Sequence, residues 1–170
     1  MKRLTLIRHG NADSKDAGVA DFDRPLSRRG QSEAEALGRL LLEHQVVPER
    51  LLASSARRAQ QTAETLARAL GINKRRLKFA ESLYLARAED ILSAVHSAGS
   101  KVQHLAIVGH NPGLSELARM LAPSEISFVD MPTGSACTFT FSARTWANVH
   151  APALRAVQYQ VPPKLLRQFS

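Results

Sequence analysis

The chain has 170 residues, 44% of them hydrophobic and 22% charged, a balance typical of one soluble globular domain over residues 1–170. The formal net charge of +8 favours anionic partners, but aromatic residues make up only 5% and no zinc-finger or RNP-type motif is present, which argues against specific nucleic-acid binding. No apolar run approaches the roughly 20 residues that span a bilayer, and the short N-terminal apolar segment lacks a signal-peptide cleavage site, so we expect a cytoplasmic protein that binds no membrane.

Hydrophobic periodicity and turn residues predict alternating strands and helices. Short runs rich in Val, Ile, Leu and Phe favour strands, and apolar residues three to four positions apart favour helices. In chain order, the sequence predicts a strand over 4–7, a polar loop over 11–26, a helix over 28–44, a strand over 51–53, a helix over 56–70, a strand over 76–80, a loop over 81–84, a helix over 88–98, a strand over 104–108, a helix over 112–121, and late strands over 137–141 and 157–161.

Capping residues mark the ends of three of these helices. Ser27, Ser55 and Asn111 each precede a periodic segment and are good N-cap residues. Pro112 suits the first helical position after Asn111, and Gly71 suits the residue just past the end of its helix. We therefore expect these helices to begin and end at those positions.

Four strand–helix alternations predict an α/β fold with a mostly parallel sheet covered on both faces, and the two late strands can pair antiparallel at one edge. In such sheets the functional site lies at the carboxyl ends of the strands. Polar groups follow four predicted strands in turn: Arg8 with His9, residues 54–58, Glu81, and His110. We expect these side chains, although distant in sequence, to meet at one rim of the sheet.

The residue types at this rim suit an anion. Arg8 and Arg58 offer planar guanidinium groups that match phosphate oxygens. His9 can attack phosphorus as neutral imidazole, and His110, if protonated, can stabilise the transferring phosphoryl group. Each residue alone has a structural alternative, such as a helix cap or a solvated helix position, but their joint placement favours catalysis. The flanking arginines repel cations and no zinc-ligand spacing is present, so we expect no metal and no cofactor.

Three motifs in order along the chain resemble those of the histidine phosphatase superfamily. They are Leu6-Ile7-Arg8-His9-Gly10, Ser54-Ser55-Ala56-Arg57-Arg58-Ala59-Gln60-Gln61-Thr62-Ala63 and Val108-Gly109-His110-Asn111-Pro112. The resemblance implies a phosphoglycerate mutase-like, three-layer α/β/α sandwich. It also implies that His9 is the phosphorylated nucleophile and that Arg8, Arg58 and His110 complete the phosphate pocket. We expect Asn111 to bind substrate beside them.

Within the superfamily, the chain resembles the SixA-type phosphohistidine phosphatases. Asp23-Arg24-Pro25-Leu26-Ser27-x-x-Gly30 and Gly109-His110-Asn111-Pro112 are typical of that branch, as is the small size. This resemblance implies an enzyme that removes phosphate from protein phosphohistidine, and we expect it to be a monomer. Two alternatives stay open on sequence alone: a phosphatase of small phosphoesters, and a non-catalytic module that recognises phosphate.

The proton donor and the cover of the pocket are less defined. Glu81 follows the third strand, where many relatives place an acid, although its Glu-Ser-Leu-Tyr context is not that of the mutases. Asp23 is a second candidate, and a phosphohistidine substrate would lessen the need for either. The 22 residues between Glu81 and His104 leave little chain for a lid, so we expect an open pocket unless residues 11–26 fold over it.

Overall fold

A computed structural model of the chain describes residues 1–14 and 18–163. Within these residues, strands and helices alternate as the sequence predicts. In chain order they are β1 (Lys2–Arg8), α1 (Arg28–Glu43), β2 (Arg50–Ser54), α2 (Arg57–Ala69), β3 (Leu77–Ala80), α3 (Ala88–His96), β4 (His104–Gly109), α4 (Gly113–Leu121), β5 (Ala136–Phe141) and β6 (Leu154–Gln160). The loop predicted over 81–84 instead contains a 3₁₀ turn, Glu81–Leu83.

The strands form one sheet in the order β3-β2-β4-β1-β5-β6. The first four in this order run parallel to one another, and β5 and β6 add an antiparallel edge. The predicted α/β architecture, with its mostly parallel sheet and antiparallel edge, is therefore confirmed. Because β1, β4 and β2 are neighbours and run the same way, the chain segments that follow them emerge at one edge of the sheet.

Helices cover both faces of this sheet. Along β4, Leu105 and Ile107 pack with α3 and α4, whereas Ala106 and Val108 pack with α1 and α2. The alternation follows from the two-residue period of a strand, and it explains why β4 is apolar on both faces. In the ranges 1–14 and 18–163, no helix is both long and apolar enough to cross a bilayer.

Two of the predicted helix ends are confirmed. The Ser27 hydroxyl accepts a hydrogen bond from the Gly30 N–H at 3.0 Å and caps α1. Gly71 follows α2 with a φ of +66°, a left-handed conformation that glycine adopts without a Cβ clash.

The other two predicted caps are wrong. The N-cap of α2 is Ala56, whose N–H donates to the Ser54 hydroxyl, so the serine at the end of β2 takes the place expected for Ser55. The N-cap of α4 is Pro112, one residue later than predicted, because the Asn111 side chain is engaged elsewhere. At Asn111 a contact distant in sequence outweighs the local capping preference, whereas at the start of α2 a different serine of the same segment accepts the hydrogen bond.

A close backbone contact fixes the loop after β1 against the start of α1. A Cβ atom on Gly30 would lie 1.9 Å from the Asn11 carbonyl oxygen, so only glycine fits there. The Ser27 hydroxyl donates to the Asn11 side-chain oxygen at 2.8 Å, and the Glu33 carboxylate accepts from the Asn11 N–H at 2.7 Å. The start of α1 thereby holds the chain immediately after His9 in place.

Replacing Gly30 with Ala should lower the free energy of unfolding by about 1–3 kcal/mol, because the added methyl group must displace backbone rather than a flexible side chain. The measurement is urea unfolding followed by circular dichroism. Gly99→Ala is the matched control, since the nearest atom to its added Cβ lies 3.8 Å away on a side chain. Equal loss of stability in the two variants would contradict the close-contact argument.

Candidate active site

Four of the predicted site residues come together where β1, β2 and β4 end. Arg8 pairs with Gly109 in the β1–β4 register, so His9 and His110 directly follow two adjacent strands. Their ring centroids lie 5.1 Å apart. Arg58 stands in the first turn of α2, immediately after β2, and its guanidinium reaches both imidazole rings. The carboxyl-end rule therefore placed these side chains correctly.

A single hydrogen bond sets the tautomer of His9. Its Nδ1–H donates to the Gly10 carbonyl oxygen at 2.7 Å, and because that oxygen can only accept, the lone pair lies on Nε2. Arg58 Nε donates toward this Nε2 at 3.3 Å. Burial, reinforced by the charges of Arg58 and Arg8, lowers the pKa of His9 to about 4. At neutral pH, His9 thus presents an unprotonated nitrogen to the guanidinium.

Arg58 joins both histidines to an acidic residue. Its side chain is only 3% exposed. Nη2 donates to the Asp21 carboxylate at 3.1 Å and lies 3.4 Å from His110 Nδ1, while Nη1 donates to the Asp21 main-chain oxygen at 2.6 Å. The orientation of the guanidinium is therefore fixed from three sides.

His110, like His9, contacts Arg58 through one ring nitrogen and a second partner through the other. Its Nε2 lies 2.7 Å from the Ser54 hydroxyl, to which it donates, since Nδ1 faces the Arg58 donor. Burial, together with the nearby His9 and Arg58, lowers the pKa of His110 to about 3. Both imidazoles are therefore neutral at pH 7, and a phosphoryl dianion placed between them would raise both pKa values.

Arg8 and Asn111 meet at the carbonyl oxygen of Met131, which accepts from Arg8 Nη1 at 2.7 Å and from Asn111 Nδ2 at 3.1 Å. The Asn111 side-chain oxygen accepts from Ser115 at 2.7 Å. Both ends of the Asn111 amide are thus engaged within the protein, and substrate binding by Asn111 stays a prediction that these contacts do not favour. Arg8 Nε is buried without a partner among the described residues, which leaves it a donor for an anion.

Sequence reasoning missed Asp21 and Tyr84. The Tyr84 hydroxyl donates to the Asp21 carboxylate at 2.5 Å, and Arg24 pairs with the same carboxylate at 2.9 Å. The hydrogen bond from Tyr84 and the positive charge of Arg58 hold the pKa of Asp21 well below its usual range, so it is ionised. Asp21 belongs to the polar segment 11–26, so the described part of that segment lines one side of the pocket. This placement agrees with the alternative in which residues 11–26 cover part of the pocket.

The structure does not bring Glu81 to this group. Its side chain is exposed at the end of β3, and β2 and β4 separate that strand from β1. Among the residues described, its carboxylate has no hydrogen bond or ion pair with the pocket. Asp23, the second candidate acid, is also exposed. A proton-donating role for either residue stays a prediction that the geometry does not favour.

Cysteine chemistry and a metal cluster find no support here. Cys137 is fully buried in β5, and burial raises the pKa of its thiol to about 12, which excludes a reactive thiolate at neutral pH. Within residues 1–14 and 18–163, no three side chains of His, Cys, Asp or Glu are grouped so that they could hold a metal ion.

The lowered pKa values predict an unusual titration. Imidazole in water protonates near pH 6.5. His9 and His110 should instead stay neutral as the pH falls to about 5 and gain protons only near pH 4 and 3 respectively. The measurement is ¹⁵N NMR of the imidazole nitrogens, with His9→Ala and His110→Ala used for assignment. Protonation of either ring at pH 6–6.5 would contradict the neutral pair.

Comparison with known proteins agrees with this geometry. Residues 4–84, which include Arg8, His9 and Arg58, match the model of the histidine phosphatase superfamily (branch 1). An uncharacterised protein of Mycobacterium tuberculosis is 33% identical over 166 residues, which cover 92% of this chain and 99% of that one.

Solved structures extend the likeness to the whole fold. The proposed phosphohistidine phosphatase SixA from Agrobacterium tumefaciens has a TM-score of 0.76 and 28% identity, over 95% of this chain and 98% of that one. A mycobacterial glucosyl-3-phosphoglycerate phosphatase shares the fold, with a TM-score of 0.62 and 17% identity over 95% and 98% of the two chains. With its motifs placed in one pocket of this fold, the chain belongs to the histidine phosphatase superfamily.

Proposed function

We propose that this protein is a phosphatase in which His9 receives the phosphoryl group, and that its substrate is a phosphohistidine on another protein. Membership of the histidine phosphatase superfamily supports the reaction class. The unprotonated Nε2 of His9, aimed at the guanidinium of Arg58, supports the role of His9 as nucleophile. The likeness to the proposed SixA enzyme supports the substrate class.

The reaction has two displacements at phosphorus. His9 Nε2 attacks the phosphorus atom, the bond from phosphorus to the substrate nitrogen breaks, and its electron pair stays on the leaving imidazole. Water then attacks the phosphorus on His9, the P–Nε2 bond breaks, and inorganic phosphate leaves with the protons of the water. Throughout, the Nδ1–H bond to Gly10 keeps His9 in the reactive tautomer.

The charged groups of the pocket hold the phosphoryl oxygens. Arg8 Nε is a buried donor without a partner among the described residues, and the Arg58 guanidinium is fixed beside His9 Nε2. Such preorganised donors are the main source of catalysis in phosphoryl transfer. His110 can take up a proton on Nδ1 when the dianion binds, which turns it into a further cationic donor. These residues do the work that metal ions do in other phosphatases.

The hydrogen bonding of Asp21 is the observation that favours phosphohistidine, because donors from Arg24, Arg58 and Tyr84 occupy its carboxylate and keep it ionised. Expulsion of an alkoxide requires a proton donor, but Asp21 is held deprotonated and Glu81 is exposed in the turn that follows β3. A phosphorylated imidazole that carries a proton on its other nitrogen leaves as neutral imidazole and needs no acid. Small alkyl phosphoesters are therefore the weaker candidate substrates. Their support is the likeness to the glucosyl-3-phosphoglycerate phosphatase, which at 17% identity shows the fold alone.

Phosphoryl transfer to His9 can be trapped. A protein carrying ³²P-phosphohistidine should transfer an acid-labile, base-stable label to the wild type, and His9→Ala should take up none. His150→Ala, which changes an exposed histidine outside the pocket, is the matched control and should label normally.

Two outcomes would overturn the proposal. Label recovered on a residue other than His9 would exclude His9 as nucleophile. Faster hydrolysis of an alkyl phosphate than of the phosphohistidine protein, compared as kcat/KM, would instead refute the proposed substrate class.

The two adjacent arginines at the start of α2 should differ sharply. Arg58→Ala should lower kcat by about 10²–10³-fold, as the loss of a preorganised oxyanion donor does. Arg57→Ala should have little effect, since Arg57 is exposed whereas Arg58 is buried. Steady-state kinetics on the phosphohistidine protein, with circular dichroism to confirm folding, is the measurement. Equal losses would show that Arg58 does not contact the phosphoryl group.

A further inference from the structure

Tyr84 borders the pocket and has no part in the mechanism above. Its ring lies edge-on to His110, with centroids 5.5 Å apart, and the Arg58 guanidinium carbon lies 6.0 Å from the centre of the same ring. The Phe22 and Tyr84 rings pack edge-on, with centroids 5.0 Å apart. Tyr84 is therefore held in a fixed position beside two of the phosphate-binding groups.

The hydrogen bonds of Asp21 leave Tyr84 as the available acceptor. One carboxylate oxygen of Asp21 accepts from Arg24 Nε at 3.0 Å and Nη2 at 2.9 Å, and the other accepts from Arg58 at 3.1 Å and Tyr84 at 2.5 Å. The carboxylate is thus saturated. The Tyr84 hydroxyl donates its hydrogen to Asp21, and its oxygen, which also interacts with the Arg58 guanidinium, keeps one lone pair that can accept a hydrogen bond. The short bond to a charged partner makes this oxygen a stronger acceptor.

Burial places this pair on the outer side of the pocket. His9, Arg58 and His110 are buried, whereas Asp21 and Tyr84 are half-buried. Arg58 connects the buried groups to the half-buried ones, because its Nε faces His9 and its terminal nitrogens face Asp21. In an in-line displacement the leaving group stands opposite the nucleophile across phosphorus. A leaving group that departs away from the buried His9 would emerge on the side where Tyr84 and Asp21 lie.

We propose that Tyr84, backed by Asp21, accepts the N–H of the phosphorylated imidazolium ring and so selects phosphohistidine over phosphoesters. This inference rests on the proposed function. The substrate ring carries phosphorus on one nitrogen and a proton on the other. When the N–P bond breaks, its electron pair stays on the first nitrogen, and the ring leaves as neutral imidazole with its N–H still bonded to Tyr84. A phosphoester has no such N–H and gains nothing from this contact.

Tyr84→Phe tests the proposal, because it removes the hydroxyl and leaves the Arg58–Asp21 contact in place. The substrates are phosphoimidazole and 4-nitrophenyl phosphate. The variant should lose at least about tenfold more kcat/KM on phosphoimidazole than on the aryl ester, as expected for a hydrogen bond to a charged group. Tyr159→Phe, at the one other tyrosine of the chain, should leave the ratio of the two substrates unchanged.

The pH profile separates a contact to the substrate from a structural effect. Since kcat reports ionisations in the enzyme–substrate complex, its alkaline fall with phosphoimidazole should shift to lower pH in Tyr84→Phe. The profile with 4-nitrophenyl phosphate should keep its position. If Tyr84→Phe does not fold, Asp21→Asn gives the second test, with a larger loss expected on phosphoimidazole than on the aryl ester.

The outcomes distinguish this inference from the function on which it rests. Equal losses on the two substrates, or no loss on phosphoimidazole, would overturn the role of Tyr84 while leaving the phosphatase intact. A wild type that hydrolyses the aryl ester but not phosphoimidazole would instead overturn the proposed substrate class.

Discussion

The buried guanidinium of Arg58 is the interaction on which the pocket depends. A charge removed from water costs several kcal/mol unless it is paired and hydrogen-bonded, and Arg58 meets this cost with Asp21 and with one ring nitrogen of each histidine. Those two nitrogens must turn their lone pairs toward it, so both rings must be neutral. The opposite ring nitrogens then donate, from His9 to a backbone carbonyl and from His110 to Ser54. Arg58 thereby determines the tautomer of His110 and reinforces the tautomer that the Gly10 carbonyl gives to His9.

The same arrangement leaves an excess of positive charge. Arg8, Arg24 and Arg58 lie near the neutral His9 ring. Asp21 contacts Arg24 and Arg58 directly, whereas Arg8 interacts with Asp130 and Glu33 at longer range. An anion with two charges would balance this excess and bind where solvent is largely excluded, which strengthens each contact. The basic character of the whole chain has the same sign as the pocket and favours the approach of acidic partners.

Sequence patterns predicted the fold and four pocket residues because both follow from short-range rules. Apolar runs define the strands, and the carboxyl ends of adjacent parallel strands must lie together, which placed His9, His110 and Arg58. Asp21 was missed because its segment has no periodicity and its partners are 37 and 63 positions away, at Arg58 and Tyr84. Such contacts depend on how a loop folds back, which local pattern does not encode.

Three supports of the pocket are backbone carbonyl oxygens. That of Gly10 fixes the tautomer of His9, that of Met131 orients Arg8, and that of Asp21 accepts from Arg58. A substitution replaces a side chain and leaves the carbonyl where it was. An alanine scan would therefore leave these three acceptors in place, and at Met131 a change of side chain would not remove the acceptor of Arg8. The pocket therefore depends on the path of the main chain as well as on the side chains of the motifs.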